Sequence, residues 1–127
     1  MKIMFSRLAI GLLLLILSFG SSSSADPKKA WEAYEAGDFS TALRVFNKLA
    51  AQGDSSAQYN LGMMYAFGQG VVQNNVYAHM WWGFAALSGD SDAASYRDFL
   101  AKDMSSEDIS MAQELARECA RKKFTGC

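Results

Sequence analysis

A chain of 127 residues, half of them hydrophobic, with 12 basic and 13 acidic side chains, sets narrow bounds. One domain is the expectation at this length. The slightly acidic balance argues against nucleic acid, which asks for a basic stripe, and against a strongly anionic membrane surface.

The first 25 residues read as a secretory signal. Lys2 and Arg7 supply the positive start, residues 8–17 the apolar run, and residues 18–25 the small side chains. Ser23 and Ala25 fit a small-x-small cleavage site, which puts the mature start near Asp26. The apolar run falls short of the roughly 20 residues a membrane span needs. No stable span is therefore expected after the signal is removed; an uncleaved N-terminal anchor is the alternative. No cysteine lies near the cleavage site to carry a lipid. Without Lys2 and Arg7 the balance becomes 10 basic against 13 acidic residues, in a mature chain able to bury a modest core.

Pro27 is the only proline, and no stretch alternates β-branched residues as a strand would. Residues 30–36 read as a short first helix stopped by Gly37. Asp38 or Ser40 opens the second, where Ala42, Val45, Phe46, Leu49 and Ala50 share one face and Gly53 closes the end. Residues 54–56 restart the chain, and Ala57, Leu61, Met64, Tyr65 and Gly68 form the next stripe. Asn74 or Asn75 caps a further helix with Ala78, Trp81, Trp82, Ala85 and Ala86. Gly89 stops it, and residues 90–92 restart again.

The last helix has the clearest start. Ser105 and Asp108 form a capping-box pattern, with Asp108 in place of Glu or Gln, and Met104 and Ile109 are spaced as a staple. Ile109, Ala112, Leu115, Ala116 and Cys119 make its apolar face. Arg117, Arg121, Lys122 and Lys123 crowd its end, where the helix dipole favours cations.

Little here suggests catalysis, and no enzyme is expected. Ser88, Asp90, Ser91 and Asp92 sit where a helix begins, which explains them without a catalytic triad. One histidine and two terminal cysteines do not make a zinc cage, so neither metal nor cofactor is expected. Gly68 and Gly70 lack the preceding strand and the following Lys and Ser or Thr of a phosphate loop. They read as a turn between antiparallel helices, where positive φ carries no side-chain penalty. Cys119 and Cys127 stand eight positions apart. In the oxidising compartment that export implies, a bridge is expected, with a redox or metal pair as the alternative.

Two stretches repeat. "ALRVFNKLAAQGDSSA" from Ala42 and "AHMWWGFAALSGDSDA" from Ala78 align at an offset of 36 residues. Ala42 meets Ala78, Phe46 meets Trp82, Ala50 meets Ala86 and Gly53 meets Gly89. A constant offset of this size marks an array of helical hairpins.

These residues resemble the Sel-one-like repeat family, relatives of the tetratricopeptide repeats. Its pattern A-x-x-x-LG-x-x-Y-x-x-G-x-GV is met by Ala57, Leu61, Gly62, Tyr65, Gly68, Gly70 and Val71. The following A-x-x-W, AA and G are met by Ala78, Trp81, Ala85, Ala86 and Gly89. The resemblance implies an all-α fold, a short solenoid of antiparallel helix hairpins. Residues 28–53 would be a degenerate repeat, 54–89 a full one and 90–127 capping helices. The offset puts Arg97 and Asp98 where Leu61 and Gly62 stand, so the third hairpin is not expected to be a true repeat. "MSSEDISMAQELARECARK" resembles the closing segment of exported members.

The resemblance further implies an exported, non-catalytic adaptor or scaffold for a protein or peptide partner, in the periplasm or outside the cell. A cell-envelope enzyme or enzyme accessory acting on cell-wall peptides is the alternative, as is a secreted host-directed effector. Tyr59, Asn60 and Met63, with Ser95 and Asp98 on the next helix, are expected to line the partner groove, unless they merely cover the stack. His79 is expected on the solvent face of its helix. Oligomeric state is left open.

Overall fold

Polar side chains decide where each helix begins. The computed structural model describes residues 25–127, and the signal read over residues 1–25 lies outside them, Ala25 excepted. Asp26, Asp38, Asp54, Asn74, Asp90 and Ser105 each accept a backbone N–H from the turn that follows. Each so satisfies one donor that a helix start leaves orphaned. They open α1 (Pro27–Glu35), α2 (Phe39–Ala51), α3 (Ser55–Phe67), α4 (Asn75–Leu87), α5 (Ser91–Ala101) and α6 (Ser106–Arg121), with no strand among the described residues. α1 starts three residues before the expected Ala30. Pro27 lacks an N–H that the first turn would waste anyway, and its fixed φ suits that position. The box opening α6 is half formed. The Asp108 N–H donates to Ser105 Oγ at 3.0 Å, while the Asp108 side chain, one methylene shorter than Glu, makes no return bond.

α1 packs on α2 and α3 on α4 as successive hairpins, and α2 packs on α3 to join them. α4 is the centre of the molecule. Its Ala78, Met80, Trp81, Trp82, Phe84 and Ala85 are all buried, so it is apolar around most of its circumference. One core group joins α1 to α4, with Cys119 from α6, around Phe46, Leu61 and Trp81. A second, of Ala78, Trp82, Ala85 and Ala93, joins α3, α4 and α5. The fold is an all-α stack of helix hairpins, a short solenoid.

The 36-residue register has a three-dimensional counterpart. Ala42 and Ala78 are both fully buried, as are Phe46 and Trp82 to within a few per cent. Asp54 accepts from the Ala57 N–H at 3.0 Å and Asp90 from the Ala93 N–H at 2.9 Å. Ala50 and Ala86 differ: Ala50 is buried and Ala86 only half-buried. Above Ala50 lies the buried side chain of Gln58, whose Nε2 donates to the Ala50 carbonyl at 3.4 Å. The residue 36 places after Gln58 is Ala94, too short to cover Ala86.

Two glycines of the expected pattern are explained by close approach. A Cβ at Gly62 would lie 2.3 Å from Cδ1 of Trp82, so the indole of α4 rests directly on the α3 backbone. A Cβ at Gly70 would come within 2.9 Å of the Phe39 carbonyl oxygen, and φ there is +73°. Gly68, at φ +65°, forms the left-handed cap of α3, its N–H bonding the Met64 carbonyl. The Tyr34 hydroxyl donates to Gln69 Oε1 at 2.9 Å. The glycine turn therefore docks on the first hairpin. Gly68, Gly70 and Gly89 sit in surface turns, and Tyr65 is half-buried, stacked on Tyr77 with centroids 5.1 Å apart.

The last two helices break the pattern of hairpins. α6 packs on α4, as α5 does, but α5 and α6 scarcely touch. Arg97 and Asp98 stand where α3 has Leu61 and Gly62, so α5 offers no apolar, side-chain-free bed for a partner helix. After Arg121 the chain turns back through two left-handed residues, Lys123 at φ 52° and Phe124 at φ 62°. Phe124 then meets Phe84 edge to face, centroids 4.9 Å apart. Cys127 bonds Cys119, with Cα atoms 5.6 Å apart.

Candidate partner-binding surface

The described residues hold no group of three or more His, Cys, Asp or Glu side chains placed to share a metal ion. His79 corrects the expectation of a solvent-facing position. It is half-buried, in a cleft floored by Met80, Gly83 and Phe84 of α4 and walled by Arg97 and Asp98 of α5 and Ala112 and Gln113 of α6. The cleft exists because α5 and α6 splay apart. Burial, with the Arg97 cation beside it, holds the His79 pKa below its ordinary value, although Asp98 works the other way. Arg97 and Asp98 pair with each other at 3.0 Å.

The other side of α5 presents an aromatic surface. Trp82, seated on Gly62, donates its Nε1–H to the Tyr59 carbonyl at 3.1 Å. Tyr96 stacks on Trp82, centroids 5.5 Å apart and planes inclined by 28°. Tyr59 meets Tyr96 edge-on at 6.0 Å. Tyr96 remains 43 % exposed and Phe99, one turn further, 66 % exposed. Asp92, Ser95, Tyr96 and Phe99 line an open hollow of about 500 Å³. Burial first, then Tyr96, Asp92 and Asp90, raise the pKa of the Tyr59 hydroxyl. The two carboxylates therefore lie close enough for their field to reach it.

The five residues expected to form a groove divide. Ser95 is exposed and lines the hollow, its Oγ donating to the Ser91 carbonyl at 3.0 Å. Tyr59 is half-buried behind Tyr96, and Met63 is half-buried against the Trp82 group. Asn60 is 7 % exposed, on the side of α3 that faces the core, and offers no surface. Asp98 is exposed but belongs to the cleft on the opposite side of α5, tied to Arg97. The exposed members missed by the sequence pattern are Asp92, Tyr96 and Phe99. Their signal was the loss of register at Arg97, which leaves α5 without a helix to cover its aromatic side.

Stacked hairpins with one side of α5 left uncovered define the protein as a short helical-repeat protein, a class that buries its core between neighbouring units and offers extended surfaces for binding. Residues 55–90 match the family model of the Sel1 repeat. The α3–α4 hairpin is thus similar to a Sel1 repeat, the match is consistent with a Sel1-like repeat family, and such a repeat suggests a protein–protein interaction module. No curated protein matches the chain.

Proposed function

We propose that this protein is an exported, non-catalytic adaptor that holds a polypeptide partner against the uncovered side of α5. The observation that carries the reading is the aromatic surface of Tyr96 and Phe99, which continues directly from the Sel1-like hairpin through Tyr59 and Trp82. Residues 28–53 serve as a degenerate first repeat and residues 90–127 as the closing helices. The Cys119–Cys127 bond suits an oxidising compartment, in keeping with a signal at residues 1–25. No helix among the described residues is long and apolar enough to cross a membrane. An adaptor of this size offers a small surface, so the bond to its partner is of modest strength.

A photoreactive phenylalanine analogue placed at Phe99 tests the reading in intact cells. Adaptor function requires a discrete protein adduct that disappears when the analogue is moved to the exposed Met111 on α6. Equal adducts from both positions, or none from either, reject it. Fractionation of the same cells separates an envelope protein from one released outside.

A further inference from the structure

We infer that the hollow on α5 receives an arginine side chain from an extended segment of the partner. The inference rests on the adaptor reading for its biological setting, but its chemistry stands on the surface itself. Phe99 and Tyr96 are both exposed, Tyr96 on the side away from its stack with Trp82, and Asp92 lines the same hollow. Aromatic faces attract cations. A guanidinium adds planar stacking to the rings and forked hydrogen bonding to a carboxylate.

Charge decides for a cation over a plain apolar anchor. Asp92 has no ion-pair partner among the described residues, whereas Asp98, on the other side of the same helix, is matched by Arg97. Asp90 adds negative charge at the same end of α5, its carboxylate accepting from the Ala93 N–H. The Lys102 ammonium stands 5.7 Å from the Phe99 ring centroid, so an incoming guanidinium has to displace this flexible, exposed side chain from the ring, and Asp92 supplies the charge that favours the exchange. An acidic segment would meet Asp90 and Asp92 as like charges. A second copy of this chain would have to bring a basic segment across from elsewhere on its own surface.

The indole of Trp82 lies directly beneath Tyr96 and so reports on the hollow. The probes are a blocked hexapeptide with two arginines and its twin with glutamates in their place, titrated into the ¹⁵N-labelled chain. The arginine peptide is expected to shift the Trp82 indole N–H signal, leave that of Trp31 on α1 in place, and bind at about millimolar strength or better. Asp92→Asn and Phe99→Ala should each weaken it about threefold to tenfold. Both residues are exposed, and an unchanged far-ultraviolet spectrum confirms the fold. Equal response to both peptides, no response at about 1 mM peptide, or binding indifferent to both substitutions overturns the inference. So does a Trp82 signal that moves with protein concentration alone, which marks self-association. The adaptor reading fails separately: an adduct at Phe99 whose partner has no arginine at the contact removes this inference and leaves that reading standing.

Discussion

At the scale of the residue, close approach explains more than conformational freedom does. Gly62→Ala would drive a methyl group into the Trp82 indole, 2.3 Å away, and displace the stack that carries Tyr96. Overpacking of this kind costs about 1–3 kcal/mol, which urea unfolding followed by tryptophan fluorescence would measure. Gly62 was legible as one letter of the repeat; its reason, the indole resting on it, was not, because that contact joins residues 20 positions apart. His79 gives a pH prediction. Its folded pKa is lowered, chiefly by burial, so the unfolded chain binds its proton more readily. Stability from this group is therefore full above the ordinary histidine value of about 6.5 and falls as pH drops through it toward the lower folded value. Thermal unfolding from pH 8 to pH 5 should show a falling Tm, with less slope in His79→Gln. An imidazole that titrates in the folded protein at the ordinary value would contradict the burial argument.

At the scale of the element, the two ends of α6 differ in what holds them. Its first turn rests on Ser105, and its last on the return through Lys123 and Phe124, closed by the disulfide. Replacing both cysteines by serine is expected to cost about 2.5 kcal/mol on the chain-entropy account of a short loop, read from chemical denaturation. Hydrogen exchange should quicken first in residues 122–127. α5 is covered by α4 along one side and open along others, so its amides should exchange sooner than those of α4. Exchange in α5 as slow as in α4 would mean that something covers it. The caps were legible because a side-chain oxygen acts on amides two or three residues away. Asp54 and Asp90 open the spans read as restarts, residues 54–56 and 90–92, and Asn74 and Asp38 were among the pairs considered. The burial of Asn60, the cleft at His79 and the exposure of Phe99 were not legible. The burial of Asn60 depends on how α3 sits between its neighbouring helices, and the other two on where α5 and α6 dock on α4, which no pattern specifies once the register ends at Arg97.

At the scale of the whole molecule, the stack is a nearest-neighbour assembly with α4 as its hub. Stability in such arrays is approximately a sum over units and the interfaces between them. The interface between α3 and α4 is the most extensive, so damage there should spread furthest. Trp81→Ala removes a side chain only 2 % exposed at the centre of the main core and should cost about 3–5 kcal/mol. For a core of this modest size that is a large share of the total, and a loss below about 1 kcal/mol would show that α4 is not the hub. The matched boundaries at Gly53–Asp54 and Gly89–Asp90 carry a consequence for construction. Because the two seams share cap, register and buried alanine, residues 54–89 form a cassette. A duplicate spliced in after Gly89 would bring a second Gln58 over Ala86, covering what Ala94 leaves half-buried, and would lengthen the stack by one hairpin while its aromatic tip moves outward.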